Sequence, residues 1–248
     1  MYLIGDIGNT DIKICLFDRN YKVVKKLILK TNLISSKYLA SKLIFLKKYS
    51  KKVNIVLFSS VVPSVYSIIR KFLKKKLKQK CIELKQTNLS KLVKIMVNKK
   101  QVGSDRISNA IGIIDKKSNY IILDFGTATT FDVVIKDKYL GGVIAPGVNL
   151  SLKTLISKAS LIPPVNISKI SKIVGTNTSS AVKSGFYWGY VGLIDNVIKL
   201  IIKQTNKSFK IILTGGLANL FKNTIKGKIE VKKDLTLNGV LKVAKNLK

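Results

Sequence analysis

Short apolar stretches separated by polar turns open the chain. Three of them, Tyr2–Ile7, Ile12–Phe17 and Val23–Leu29, have the length and the flanking Gly, Asn and Asp residues that are typical of strands. Only a few residues around Gly8 separate the first two stretches, which favours a tight turn between them. The pattern therefore predicts an antiparallel meander of three strands.

Helical spacing of apolar positions follows the meander. The remaining elements predicted in the first half are a helix capped by Ser35-Ser36 and running to about Tyr49, a buried strand at Val53–Phe58, a helix from Val65 to about Leu77, a strand at Leu92–Val97 and a helix after Arg106 through Ile114. Strands and helices thus alternate along the chain, which indicates an α/β protein.

The second half repeats this pattern. Its predicted elements are strands at Tyr120–Leu123, Phe131–Ile135 and Tyr139–Ile144, a helix ending near Lys158, a long helix from about Asn177 to Lys203 and a strand at Ile211–Leu213. Asp6-Ile7-Gly8-Asn9 and Asp124-Phe125-Gly126-Thr127 lie 118 residues apart, each between two predicted strands. A duplication explains this spacing. We therefore expect two similar domains with mixed sheets, at residues 1–117 and 118–248.

Composition narrows the functional classes. The chain is 46% hydrophobic, but no uncharged apolar run is long enough to cross a bilayer, so we expect a soluble, cytoplasmic protein with no signal peptide. Its two cysteines, Cys15 and Cys81, lack the spacing of a zinc site or a disulfide framework and are expected to be reduced and buried. Histidine is absent, so acid–base chemistry must depend on carboxylates, lysine or tyrosine.

The formal net charge of +34 raises the alternative of a nucleic-acid-binding or membrane-surface protein. Lysine, isoleucine and asparagine are abundant together while arginine is scarce, a pattern that drift toward AT-rich codons would leave. No helix-turn-helix or aromatic stacking motif accompanies the charge. Most of the lysines are therefore interpreted as solvated surface, no specific nucleic acid is expected as a partner, and function is sought among the 12 acidic residues.

The two Asp-x-Gly turns are suited to holding a metal-bound polyphosphate. Glycine lets backbone N–H groups approach an anion, neighbouring Asn9, Thr10, Thr127 and Thr129 can donate hydrogen bonds, and the carboxylate can bind a cation. Each turn alone is equally well explained as an ordinary hairpin. Two copies facing each other would form a nucleotide cleft, with the glycine turn Thr214-Gly215-Gly216 beside the base or ribose.

Asp105 and Arg106 lie at the start of a predicted helix, just after Gly103. Transfer of a phosphoryl group to an alcohol needs a group that accepts the hydroxyl proton, and Asp105 is a plausible base. Arg106 offers a planar fork for a carboxylate or phosphate. The structural alternative is a helix-dipole carboxylate with a surface ion pair.

Taken as a set, the motifs resemble those of type III pantothenate kinases. The matching segments, in chain order, are Asp6-x-Gly8-Asn9-Thr10-x-x-Lys13, Gly103-x-Asp105-Arg106, Asp124-x-Gly126-Thr127-x-Thr129, Gly142-x-Ile144-x-Pro146-Gly147, Gly175-Thr176-Asn177-Thr178 with Ser184-Gly185, and Thr214-Gly215-Gly216. The resemblance implies two actin-like (ribonuclease H-like, ASKHA) domains with a nucleotide cleft between them. It implies ATP-dependent phosphorylation of pantothenate to 4'-phosphopantothenate, the first step of coenzyme A biosynthesis.

The resemblance also implies roles for individual residues. The first turn would bind the ATP phosphates and magnesium, with Asp6 as the magnesium ligand. Thr127 of the second domain would join it. The residues of the first turn are Asp6, Ile7, Gly8, Asn9, Thr10, Asp11, Ile12 and Lys13. Asp105 would accept the proton of the pantothenate hydroxyl, and Gly103, Ser104, Arg106 and Thr178 would contact that substrate. Asp124 would hold a monovalent cation, potassium or ammonium.

Two further points follow from the resemblance. The family is generally dimeric, and Gly185, Gly189 and Gly192 on the long helix would allow a close helix contact, although packing within the chain explains them equally well. The family usually has Tyr-x-Asn-Pro before the Gly-x-Asp-Arg turn, with the tyrosine lining the pocket. Met96 and Lys99 stand where tyrosine and proline would be, so one substrate contact is expected to be weakened while turnover survives. A kinase of the same fold for another small substrate, or a transcriptional accessory factor, are the alternatives.

Overall fold

The computed structural model describes residues 1–247 of the chain. The strands are β1 (Tyr2–Ile7), β2 (Asp11–Phe17), β3 (Val23–Lys30), β4 (Ile55–Ser60), β5 (Cys81–Glu83), β6 (Lys94–Ile95), β7 (Asn119–Phe125), β8 (Ala128–Ile135), β9 (Lys138–Pro146), β10 (Lys210–Gly215) and β11 (Ile229–Val231). The helices are α1 (Ser36–Lys42), α2 (Leu46–Tyr49), α3 (Pro63–Leu77), α4 (Ser104–Ile113), α5 (Val148–Lys158), α6 (Thr178–Thr205), α7 (Ala218–Phe221) and α8 (Leu235–Lys245). No helix in residues 1–247 is both long and apolar enough to cross a membrane.

Internal contacts divide the chain into two compact units. The first contains Met1–Asp115, Asp137–Tyr139 and residues 234–247, and the second contains Lys116–Lys136 and Leu140–Lys233. Helix α8 packs against α4 and β1, so it belongs to the first unit by its contacts. This differs from the predicted range 118–248, because the local sequence does not indicate which unit a C-terminal helix packs against.

The first unit is built on a five-stranded sheet in the order β3-β2-β1-β4-β5. Strands β1, β2 and β3 are antiparallel neighbours, which confirms the predicted meander, while β1, β4 and β5 run parallel. Helices α1, α2 and α3 cover one face with buried apolar side chains, among them Leu39, Leu46 and Ile69. Helices α4 and α8 contact strands β1 and β4 on the other face. Burying each such Leu or Ile side chain contributes about 1.5–3 kcal/mol.

The second unit repeats the strand order. Strand β7 lies between antiparallel β8 and parallel β10, β11 pairs with β10, and β9 lies beside β8. The two mixed sheets are those of the actin-like α/β fold, as the sequence predicted. Strand β6 pairs with the start of β9 through Lys94↔Lys138 and Ile95↔Tyr139.

Some local predictions need correction. The helix expected to reach Tyr49 ends at Lys42 and resumes at Leu46, yet its buried apolar face continues across the interruption. The strand expected at Leu92–Val97 is shorter than predicted and consists of β6 alone. Two short edge strands, β5 and β11, were not predicted. Cys15 and Cys81 are free and buried, and burial raises the pKa of their thiols to about 11 and about 12.

Candidate active site

The hairpin between β1 and β2 carries the first Asp-x-Gly motif. Asp6 lies opposite Lys13 in the antiparallel register, near the carboxyl end of β1. The backbone N–H of Gly8 donates to the carbonyl of Asp11 at 3.1 Å, and the hydroxyl of Thr31 donates to the carbonyl of Gly8 at 2.8 Å. The loop after β3 therefore fixes the hairpin turn.

The predicted phosphate-binding residues in this turn differ in what they can offer. Asn9 and Thr10 are exposed, whereas the side chains of Ile7 and Ile12 are fully buried in the core. Ile7 and Ile12 can therefore supply only backbone groups to a nucleotide. Asp11 forms an ion pair with Lys30 at 2.7 Å.

Asp6 lies on the face of the sheet that α4 and α8 cover. Ile7 and Phe58 point into the core beneath α3, and residues alternate between faces along a strand. Asp6 and its parallel neighbour Ser59 therefore share the opposite face. The hydroxyl of Ser59 is buried beside Asp6 and has no hydrogen-bond partner among the described residues.

Asp105 lies in the first turn of α4, at the same edge of the sheet. Its Oδ1 accepts a hydrogen bond from the backbone N–H of Arg106 at 2.8 Å. It also borders the helix N-cap Gly103 so closely that a Cβ on Gly103 would collide with Oδ1 and would lie 3.4 Å from Val61 Cγ1. The N–H of Val61 donates to the carbonyl of Ile7 at 3.0 Å. These contacts bring the Asp105 turn next to the end of β1, which carries Asp6.

The environment of Asp105 changes its proton affinity. Burial raises the pKa of the Asp105 carboxyl above its ordinary value of 3.8, and this effect is opposed by the backbone hydrogen bond and charge of Arg106 and by the charge of Lys85. A carboxylate with a raised pKa is a better proton acceptor than a solvated one. Asp105 is therefore suited to act as a general base.

Helix α8 fixes the position of α4. The hydroxyl of Ser108 donates to the carbonyl of Thr236 at 2.8 Å, and the hydroxyl of Thr236 donates to the side chain of Asn109 at 2.9 Å. Lys242 donates to the carbonyl of Ile114 at the end of α4, at 2.8 Å. Helix α8 thus holds α4 from Ser108 to its C-terminal end.

The second unit carries the matching turn between β7 and β8. Asp124 lies opposite Thr130 in the antiparallel register and beside Thr214 in the parallel one. The N–H of Gly126 donates to the carbonyl of Ala128 at 3.0 Å, and Thr127 is exposed at the tip. Like the first turn it joins two antiparallel strands after an Asp-x-Gly motif, but it is one residue shorter, since Phe125 pairs with Thr129 whereas Ile7 pairs with Ile12.

Two glycines approach this second turn closely. A Cβ on Gly147, at the start of α5, would lie 2.7 Å from the carbonyl carbon of Thr127. Gly215 has φ +85°, a conformation that favours glycine, and a Cβ there would lie 2.7 Å from Asp124 Oδ1. Glycine at these two positions therefore lets backbone approach the turn and Asp124 without an intervening side chain.

The remaining predicted substrate residue lies at another helix start. Thr178 is exposed at the first position of α6, after Asn177, whose side chain accepts from the N–H of Ser180 at 2.9 Å. Asn98 supports the loop before Gly103, since its side chain accepts from the N–H of Lys100 at 3.0 Å. Met96 is 58% exposed.

Two acidic residues that the sequence interpretation missed also lie near these turns. Asp132 on β8 is fully buried in the apolar run Phe131–Ile135, and its carboxylate accepts a hydrogen bond from the hydroxyl of Thr130 at 3.4 Å. Glu83 ends β5 and accepts a hydrogen bond from the hydroxyl of Ser104. The signal for Asp132 is a carboxylate inside an apolar run; the signal for Glu83 is that no other acid occurs between Asp18 and Asp105.

The donor set can be compared with the ions that the family resemblance implies. No group of three or more His, Cys, Asp or Glu side chains in residues 1–247 is arranged to hold a metal by itself. Magnesium usually binds through one or two carboxylates together with substrate phosphates and water. Asp6 with the buried Ser59 hydroxyl beside it fits such a shared site.

Comparison with known proteins places this geometry in a family. The model of the type III pantothenate kinase family matches residues 2–200. A type III pantothenate kinase of Pelagibacter ubique is 54% identical over 248 residues, which are the whole of both chains.

Solved structures share the fold. A protein of Campylobacter jejuni assigned to the Baf family of transcriptional activators matches with a TM-score of 0.61 at 20% identity, covering 99% of this chain and 98% of that one. Porphyromonas gingivalis acetate kinase matches with a TM-score of 0.56 at 12% identity, covering 100% and 99%. At these identities the likeness concerns the fold alone, whereas the family model and the full-length relative carry the assignment. The chain therefore belongs to the type III pantothenate kinase family.

Proposed function

We propose that the chain transfers a phosphoryl group from ATP to pantothenate, giving 4'-phosphopantothenate in the first step of coenzyme A biosynthesis. Membership of the type III pantothenate kinase family supports this reaction. The observation that carries the assignment to residues is the half-buried Asp105 carboxylate with a raised pKa, beside the strand end that bears Asp6. The transcriptional alternative is not favoured, because likeness to the Campylobacter jejuni protein concerns the fold alone and the positive charge is not accompanied by a recognisable nucleic-acid-binding motif.

Asp105 is the proposed proton acceptor for the substrate hydroxyl. The N–H of Arg106 holds one of its oxygens, so the carboxylate has a fixed direction before substrate binds. Fixed geometry of this kind supplies much of the rate of a phosphoryl transfer, since positioning and charge stabilisation dominate such reactions. Gly103, Arg106 and Thr178 are proposed pantothenate contacts, and Ser104 could contribute only its backbone, because its side chain is fully buried and its hydroxyl donates to Glu83.

The first turn is the proposed site for the ATP phosphates and magnesium. Asp6 would hold the ion, while the backbone around Gly8 and the exposed Asn9 and Thr10 would bind phosphate oxygens. Asp11, Ile12 and Lys13 would complete the set from β2, and Thr127 would join it from the second unit. Bound ATP supplies the phosphoryl group, and magnesium neutralises its charge. That the two turns meet on one nucleotide remains a prediction.

Asp124 is the proposed ligand of a monovalent cation, potassium or ammonium. A Cβ added to Gly215 would lie 2.7 Å from Oδ1 of Asp124, so this side of the carboxylate faces backbone rather than a bulky side chain. A homodimer is proposed as well. Gly185, Gly189 and Gly192 are exposed on α6 with open space beside them, and Ile144 and Leu150 are 63% and 49% exposed in the same unit. A cytoplasmic location is part of the same proposal.

Product analysis tests the reaction. The purified protein is incubated with ATP, magnesium and potassium, and with pantothenate or a panel of sugars, small acids and other alcohols. Formation of 4'-phosphopantothenate by mass spectrometry, absent with the other alcohols, is expected. A folded preparation that phosphorylates a panel compound but never pantothenate would contradict the assignment.

A further inference from the structure

Two residues at and just after the end of β5, Glu83 and Lys85, form hydrogen bonds to the chain on both sides of Gly103, in the turn that carries Asp105. Glu83 is the last residue of β5, and the segment Leu84–Gln86 after it forms a single 3-10 turn. Glu83 uses both carboxylate oxygens: Oε2 accepts from the backbone N–H of Lys85 at 2.8 Å, and Oε1 accepts from the hydroxyl of Ser104. Ser104 is fully buried and directly precedes Asp105.

Lys85 holds the chain on the other side of Gly103. Its ammonium group donates to the carbonyl of Val102 at 3.0 Å and to that of Lys100 at 3.4 Å. A lysine that satisfies two backbone carbonyls and stays close to a carboxylate has little freedom to move. Glu83 and Lys85 thus fix the residues immediately after and before Gly103.

We propose that Glu83 and Lys85 are positioning residues that hold the Asp105 carboxylate in its reactive place by anchoring the Gly103 turn to the end of β5. The proposal rests on the proposed role of Asp105. Neither residue belongs to the motifs that identify the family in this chain, and neither is assigned a contact with substrate or nucleotide. Strand β5 is an edge strand of only three residues, so we expect the backbone at its end to be less well fixed without these hydrogen bonds.

The charges that face Asp105 make the proposal measurable. On its own helix the neighbouring charge is Arg106, and from the turn after β5 it is Lys85; both lower the pKa of the Asp105 carboxyl against the effect of burial. Helix α8 also packs on α4, but its Lys242 binds the carbonyl at the opposite end, and Asp234 pairs with Lys26. Removing the charge of Lys85 should therefore raise the pKa of Asp105, and the acid limb of activity should move to higher pH.

The experiment compares variants of the full chain. Ser104→Ala removes one hydroxyl, Glu83→Ala removes both acceptors, Lys85→Met removes the charge and Lys85→Arg keeps it. Lys91→Met, at an exposed position, is the matched control for loss of charge. For Ser104→Ala and Glu83→Ala we expect kcat to fall by about ten- to a hundredfold, because a displacement of about 1 Å can cost a hundredfold. The KM for ATP should stay unchanged.

Two readouts do not depend on turnover. Carbon-13 NMR titration gives the pKa of Asp105, whose carboxyl resonance is identified by its absence from the spectrum of Asp105→Asn. This pKa should rise in Lys85→Met but not in Lys91→Met or Lys85→Arg. Amide hydrogen exchange of residues 100–106 should accelerate in Ser104→Ala and Glu83→Ala. The proposal is overturned if Ser104→Ala keeps wild-type kcat and exchange, or if Lys85→Met and Lys91→Met titrate alike. A wild type that exchanges and titrates as expected but never phosphorylates pantothenate would instead overturn the proposed function and leave the anchoring intact.

Discussion

The close approach of α4 and α8 makes Gly239→Ala a strong perturbation of the candidate active site. A Cβ at Gly239 would lie 2.6 Å from the carbonyl carbon of Ser108 and 2.7 Å from its hydroxyl oxygen. Ordinary contacts between carbon atoms are about 3.5–4.0 Å, so the two helices must move apart by roughly 1 Å. Such overpacking costs about 1–3 kcal/mol of folding free energy.

The displaced helix carries Asp105, so activity should suffer beyond the loss of stability. The hydrogen bonds from Ser108 and Thr236 that join the helices would stretch with the same movement. We expect the free energy of unfolding to fall by about 2 kcal/mol and kcat by up to about a hundredfold. Urea denaturation monitored by circular dichroism, with kinetics on the folded fraction, measures both.

Gly239→Ala has a matched control on another helix. Within one chain, Gly189→Ala places the same methyl group where nothing lies within 4 Å; because Gly189 also lies on the face proposed for the dimer contact, the comparison is made on monomer at high dilution, where the substitution should stabilise the chain by about 1 kcal/mol. If Gly239→Ala stabilised the protein equally and kept full turnover, α4 and α8 would not be packed as described, and the support of Asp105 by α8 would be refuted.

Three further outcomes are expected. Asp105→Asn should raise the free energy of unfolding at pH 7, because a carboxyl whose pKa is raised in the folded state destabilises the fold once it is ionised. Urea denaturation should show this gain in stability vanishing as the pH falls below 3.8. A gain that stayed constant with pH would argue against burial as the cause of the raised pKa. Met96→Tyr should lower the KM for pantothenate by about three- to tenfold if the ring lines the pocket, since an aromatic contact contributes about 0.5–1.5 kcal/mol, and an unchanged KM would place Met96 outside it. Gly189→Leu should shift the sedimentation coefficient from dimer toward monomer, whereas an unaffected dimer would exclude this face of α6.

The repeated Asp-x-Gly turns show what local sequence can specify. Their predicted strands formed with the expected hairpin pairing, because apolar runs of strand length on each side of Gly8 and Gly126 leave few alternatives. The placement of Asp105 at a helix start was equally legible from Gly103 and the apolar spacing that follows. The roles assigned to these residues came from the motif set as a whole, and they remain predictions.

What the sequence did not predict depends on contacts between distant segments. Helix α8 was missed although its apolar residues are spaced as in an amphipathic helix, and its return to the first unit was missed because nothing local distinguishes Gly112 and Gly239 as partners in a helix crossing. The role of Glu83 was missed for the same reason, because its contact with Ser104 joins residues 21 positions apart. Glu83 also ends a strand, β5, that is too short to give a recognisable pattern. The interruption between α1 and α2 was hidden because Leu39, Leu43 and Leu46 stay buried across it.

Turnover of Asp105→Asn is the most direct measurement of the central claim, that this carboxylate accepts the proton of pantothenate. With ATP, magnesium and potassium present, kcat should fall by about 10²–10⁴-fold while nucleotide affinity by calorimetry is unchanged. Asp18→Asn, in the turn after β2, should match the wild type in both. An Asp105→Asn variant that kept kcat within twofold of the wild type would contradict the account.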